Sequence, residues 1–134
     1  MSVRNFTRGA LACAAAAALA GCSTLRFAYD NADLYVKYRA GQYLDLRGAQ
    51  DHQLAHEIDA FFAWHRREAL PRYVRIAEEA GARVRKGLSR DDVVWGYDSL
   101  VAHARESLRA AARRIAPLLD RLTPEQVAYM ESGF

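Results

Sequence analysis

Between Val93 and Leu122, apolar side chains return at every third or fourth residue: Val93, Tyr97, Leu100, Val101, Ala104, Leu108, Ala111, Ile115, Leu119 and Leu122. A period near 3.6 residues places them all on one face of a helix, and a strand cannot carry that pattern. Ser89 followed by Asp92 forms a capping-box signal at the start, with Asp where Glu or Gln is usual. Pro117 lies inside the stripe and predicts a kink, because its ring removes a backbone donor and crowds the preceding turn. A helix of this length needs partners for its apolar face, so the rest of the chain is expected to supply helices.

It does so in outline. Asn31 to about Leu44 reads as a Tyr-rich helix (Tyr35, Tyr38, Tyr43) weakened by Gly41. From Gly48 to Ala69, Leu54, Ile58, Phe61, Phe62, His65 and Ala69 share a face. Leu70-Pro71 predicts a break or sharp kink, since proline disfavours helical geometry in the residue before it. A third segment carries Tyr73, Ile76, Ala77, Ala80 and Val84 on one side, up to Gly87. Thr123-Pro124-Glu125-Gln126 reads as the N-terminus of a fifth helix: Thr as cap, Pro in the first turn, Gln closing the box. No convincing alternation of strand type is present, and no Gly-rich phosphate loop, GxSxG or HExxH. The expected fold is all-α, an irregular bundle of four to five helices, with the 48–69 and 90–122 helices antiparallel through their stripes and joined by 72–86.

The N-terminus reads as an address. Residues 1–9 hold Arg4 and Arg8 and no acid, and residues 10–20 are uncharged and apolar. A basic start, a short apolar run and small residues at its end describe a secretory signal. Eleven apolar residues are too few to span a bilayer, which takes about 20. Leu19-Ala20-Gly21-Cys22 closes the run and resembles a bacterial lipobox. That resemblance implies cleavage between Gly21 and Cys22, a lipidated Cys22 thiol and amine, and no role for Cys13 in the mature chain. Two or three acyl chains give stable membrane anchoring where one is marginal. In proteobacterial lipoproteins of this type an Asp after the Cys favours inner-membrane retention. Ser23 therefore implies the outer membrane, with the domain facing the periplasm. The expected organisation is a signal peptide over 1–21, a lipidated tether over 22–30 and a helical domain over 31–134. With Cys22 as the single remaining cysteine, an intrachain disulfide and a Cys-based metal site are excluded.

Candidate site residues are few. His52, His56 and Asp59 share a helix face at a spacing that could hold a metal. That face lies opposite the apolar stripe, so a solvated surface is the expectation, and no metal or other cofactor is assigned. His65 sits in the middle of the apolar face. The expectation is a buried imidazole bonded to a carbonyl or carboxylate, and the alternative is a catalytic or pH-sensing role. No Ser or Cys nucleophile pairs with it, so no catalytic residue is assigned and the reading is non-enzymatic. Trp64 and Trp95 fall off their stripes, either packed under a neighbouring helix or marking a contact surface. Residues 66–121 carry thirteen basic against eight acidic groups, with Arg105, Arg109 and Arg113 in one row. This is either a solvated face or a contact for an anionic lipid, lipopolysaccharide or wall polymer. Nucleic acid is not an expected partner, because the export signal leads away from it.

Taken together, these residues resemble a family of proteobacterial lipoproteins of unknown function, the DUF6279 type. The resemblance is carried by Leu19-Ala20-Gly21-Cys22, Tyr29-Asp30-Asn31-Ala32-Asp33, and Tyr43-Leu44-Asp45-Leu46 with Gln50. It continues through Trp64-His65-Arg66 with Leu70-Pro71-x-Tyr73, and Leu122-Thr123-Pro124-Glu125-Gln126. The Trp64, His65, Arg66, Leu70, Pro71, Tyr73 block is the most specific and is read as a structural motif. The resemblance implies that the chain corresponds to the N-terminal half of such a protein, with further helix expected beyond Phe134, and it brings no activity with it. Leu122-Thr123-Pro124-Glu125-Gln126 is also similar to the Leu-Thr-x-x-Gln motif of small periplasmic stress chaperones, with Leu46-Arg47-Gly48-Ala49-Gln50 as a degenerate copy. The functional expectation is a lipid-anchored protein that binds or scaffolds an envelope component, such as an anionic polymer or a protein. The alternative is a periplasmic holdase-like chaperone.

Overall fold

A computed structural model describes residues 23–133. The signal segment, the Gly21–Cys22 cleavage point and Cys22 itself lie outside the described residues. Helix accounts for nearly everything described, and no strand occurs among those residues. Five helices follow in order: α1 (Ala32–Leu44), α2 (Ala49–Trp64), α3 (Leu70–Lys86), α4 (Arg90–Leu119) and α5 (Pro124–Ser132). Residues 23–30, expected as a tether, are themselves helical. Two compact units divide the chain, one ending at Val36 and one beginning at Lys37.

The second unit is built around a helical hairpin. Its first arm is α2, the turn His65–Ala69 and α3; its second arm is α4. Residues 87–89 join the arms, with Gly87 at φ 103, a left-handed conformation that glycine adopts without a Cβ penalty. So short a connection forces antiparallel packing, and the contacts along the arms follow it. Near the connection, Arg83 meets Asp92 and Trp95; midway, Arg72 meets Glu106; at the far end, Glu57 meets Arg114.

The expected break at Leu70-Pro71 does not occur. Pro71 sits in the first turn of α3, and Leu70 keeps right-handed helical angles (φ −54, ψ −43). The preceding turn, His65–Ala69, is a π-helix in which the Leu70 N–H donates to the His65 carbonyl, five residues back. This wider turn opens the backbone where the proline ring would otherwise crowd the carbonyl one turn before it. The helix therefore passes through the proline without a gap. Similarly, α4 runs through Pro117 to Leu119, where the proline costs one bond in the last turn.

The face that α4 turns to the other arm is also not the predicted one. Ala110 and Leu118 are its buried residues, flanked by half-buried Trp95, Gly96, Ser99, His103, Glu106, Ser107 and Arg114. The predicted stripe lies about 100° around the helix, and much of it faces outward: Tyr97 is 66 % exposed and Leu108 69 %. Apart from Leu118 and Trp95, the packed face is lined by small residues and ion-paired side chains. On α2 and the π-turn the expectation holds better, since Leu54, Ile58, Phe62 and Ala69 are buried; on α3 it does not, because no residue there is buried and Val84 of the predicted face is 58 % exposed.

Both predicted capping boxes are present. Ser89 Oγ accepts from the Asp92 N–H at 3.2 Å while the Ser89 N–H donates to Asp92 Oδ2 at 2.9 Å. Thr123 Oγ1 accepts from the Gln126 N–H at 3.3 Å, and the Thr123 N–H donates to Gln126 Oε1 at 3.0 Å. Gln126 does more than cap. It is buried, and its Nε2 donates to the Asp45 carbonyl at 3.0 Å and to Gln50 Oε1 at 2.8 Å. The start of α5 is thereby fastened to the loop before α2, where Asp45 holds a positive φ of 41.

Candidate functional site

The Trp64–Tyr73 block occupies the π-turn and its two flanks, and it faces the middle of α4. Widening one helical turn re-aims the side chains on either side of it, which is why such turns recur at functional positions. Here the result is a run of rings across both arms. Phe61 packs edge-on to Phe62 at 5.4 Å between centroids and lies 5.7 Å from the His65 ring. His65 continues to Tyr73 at 6.1 Å, and Tyr73 to His103 of α4 at 5.9 Å. Trp64 closes against Phe61 and His65 at 5.9 and 6.3 Å.

His65 is therefore half-buried among rings rather than fully buried in the core. Burial, and then the nearby Arg66 charge, push its pKa below the ordinary histidine value, so the neutral ring is favoured. Its ring partners lie on both sides of the π-turn. Arg66 is exposed, Leu70 half-buried and Pro71 exposed.

Beside the rings runs a polar seam. Arg72 Nη1 lies 2.6 Å from both carboxylate oxygens of Glu106, and His103 Nδ1 is 3.6 Å from Glu106 Oε2. The Arg72 hydrogen bond, ahead of any other influence, holds the Glu106 pKa below the usual carboxylate range. Ser107 Oγ is buried next along α4 and has no hydrogen-bond partner among the described residues. Toward the hairpin's open end, Arg114 Nη1 reaches Glu57 Oε2 at 3.3 Å. Between these contacts lies an open depression of about 330 Å³, lined by Trp64, Glu106, Ala110, Arg113 and Arg114. Two arginines and a tryptophan share that lining, with Arg114 also reaching Glu57. The one carboxylate in the lining is already held by Arg72.

The other sequence candidates are placed elsewhere. His52, His56 and Asp59 are all exposed, and Asp59 pairs with Lys37 of α1. No group of three metal-ligating side chains occurs among the described residues. Trp95 packs beneath Arg83 of α3, whose guanidinium carbon is 4.0 Å from the ring centroid. Arg105, Arg109 and Arg113 are exposed. Ser23 is exposed and helical. Sequence reasoning missed Arg72, His103, Glu106 and Arg114. A usable signal was there, since His103 and Glu106 are spaced three apart and share a helical face with Ala110 and Arg114.

Residues 42–134 match a family described as "Family of unknown function (DUF6279)". The matched stretch includes the π-turn, the ring ladder, the seam and both Gln50 and Gln126; the Leu19–Cys22 and Tyr29–Asp33 blocks lie before it. No curated protein and no solved structure matches the chain.

Proposed function

Since the chain belongs to the DUF6279 family, whose function is unknown, we propose a reading built on its own residues. The protein is a proteobacterial lipoprotein anchored in the outer membrane through Cys22 and facing the periplasm. There it binds or scaffolds an anionic envelope component and catalyses no reaction. The anchor rests on Leu19-Ala20-Gly21-Cys22 closing an apolar run, and the choice of membrane on Ser23. The observation that carries the binding reading is the depression lined by Trp64, Arg113 and Arg114. Guanidinium groups take phosphate or carboxylate oxygens in a bidentate fashion, and an indole offers its face to the apolar or sugar part beside them.

The anchor is tested by metabolic labelling with a palmitate analogue, then density-gradient separation of membranes. Label on the wild type but not on Cys22→Ala, in outer-membrane fractions, supports it. Label retained by Cys22→Ala, or wild-type protein confined to inner-membrane fractions, refutes it. The binding reading is tested by sedimenting the full chain with vesicles of anionic or zwitterionic lipid and with lipopolysaccharide. Binding to the anionic probes that weakens with salt and with Arg113→Glu supports it; equal binding to neutral vesicles refutes it.

One observation favours a second reading, a holdase-like chaperone with Leu-Thr-x-x-Gln-type motifs. It is the outward apolar strip of α4, which could take an unfolded client. Suppression of client aggregation by the full chain, lost in Leu108→Asp, would favour that reading.

A further inference from the structure

The outward strip of α4 runs from Val93 to Leu119, about 40 Å at 1.5 Å per residue. Tyr97, Leu108 and Leu119 recur at eleven-residue spacing, as do Val93, Ala104 and Ile115. An eleven-residue repeat (3.67 per turn) stays on one side of a nearly straight helix. No charged side chain interrupts the strip after Arg90. It lies about 100° around α4 from the face that meets the other arm, so a helix can be laid along it on the side away from that arm.

We infer that this strip is the interface between two copies of the chain, paired antiparallel about Ala104. The register follows from size and charge. Two-fold pairing about Ala104 brings alanine to alanine at the crossing, where helices approach most closely. It also sets Leu100 opposite Leu108 of the second copy, leucine on leucine, and Tyr97 opposite Ala111, large against small. Asp98 and Arg109 are exposed on the same edge of the strip. Antiparallel pairing brings each Asp98 across from Arg109 of the other copy, twice by symmetry. Parallel pairing would instead lay Asp98, Arg105 and Arg109 each against its own copy, whereas in the antiparallel pair only Arg105, next to the axis, does so. A strip of this length and about 10 Å wide covers about 400 Å² on each copy. With the stems of the bordering charged side chains, the pair reaches about the 1,000 Å² that marks a specific interface.

The test is sedimentation velocity of the full chain in mild detergent over a range of concentrations. The wild type is expected at twice the mass of a single mature, lipidated copy. Leu108→Asp, at a position exposed in the single copy, is expected to be monomeric with unchanged helical circular dichroism. Asp98→Arg and Arg109→Asp should each weaken the dimer by about tenfold, and the double reversal should restore it. A wild type that stays monomeric at every concentration overturns the inference. So does a dimer indifferent to Leu108→Asp, or a double reversal no better than the single ones. A monomer that suppresses client aggregation through Leu108 would give the strip to the chaperone reading instead.

Discussion

The side-chain amides of Gln50 and Gln126, 76 residues apart, form a reciprocal pair: Gln126 Nε2 donates to Gln50 Oε1 at 2.8 Å, and Gln50 Nε2 to Gln126 Oε1 at 3.3 Å. They are the last residues of the two Leu-Thr-x-x-Gln-like segments, so the motif and its degenerate copy fasten to each other. Gln126 is 7 % exposed and also closes the α5 capping box. Gln126→Ala is therefore expected to destabilise the fold by about 1–3 kcal/mol, from the lost cap and the orphaned Asp45 carbonyl and Gln50 amide. Urea unfolding measures it, and a change below about 0.5 kcal/mol would remove the clasp from the account.

Leu118 and Leu119 are neighbours with different surroundings, 1 % and 41 % exposed. Leu118→Ala should cost about 2–4 kcal/mol through the cavity it leaves. Leu119→Ala should cost under about 1 kcal/mol, because little packing is lost. Equal costs, or the reverse order, would mean that α4 presents its other face to the first arm.

That pair also shows what could be read in the sequence. Helix ends were legible because Ser89, Asp92, Thr123 and Gln126 satisfy orphan backbone groups locally, by chemistry that needs no distant partner. The rotation of α4 was not. Periodicity tells which residues share a face, and it cannot tell which face finds a partner when small residues and ion pairs form a second one. The proline at 71 misled for a related reason: the π-turn that absorbs it is a backbone adjustment with no side-chain signature. His65 stands next to Phe61 and Trp64, which periodicity can place, but its partner Tyr73, and Tyr73's partner His103, come from later segments that periodicity could not bring together.

Asp92 gives a pH signature. The hydroxyl of Ser89 first, then Arg83, then the Ser89 backbone, hold its pKa at about 2, below the ordinary 3.8. The unfolded chain therefore takes up this proton before the folded one does. The stabilisation is complete above about pH 4 and is lost as pH falls toward 2. Asp92→Asn should lower the melting temperature at neutral pH and flatten its decline between pH 4 and 2. A variant whose decline parallels the wild type would show that the carboxylate does not act this way.

His65 works in another window. Its folded pKa lies below the ordinary 6.5, so the unfolded state gains the proton first as pH falls. The contribution is whole above about 6.5 and shrinks below it. His65→Phe, which keeps a ring between Phe61 and Tyr73, should lose less melting temperature than wild type between pH 7.5 and 5.5. His65→Ala should cost about 1 kcal/mol at pH 7.5 from the lost ring contacts. Identical pH profiles for wild type and His65→Phe would place the titrating group elsewhere.

The central claim, that the Trp64–Arg113–Arg114 depression holds an anionic envelope component, is tested most directly at Trp64 itself. The chain has two tryptophans, so the full chain carrying Trp95→Phe leaves Trp64 as the only indole reporter. Titration with anionic vesicles or lipopolysaccharide should shift its emission saturably, the shift fading as salt rises and disappearing in Arg113→Glu. An emission unchanged by every anionic probe, or a shift that survives Arg113→Glu at full size, would contradict the account.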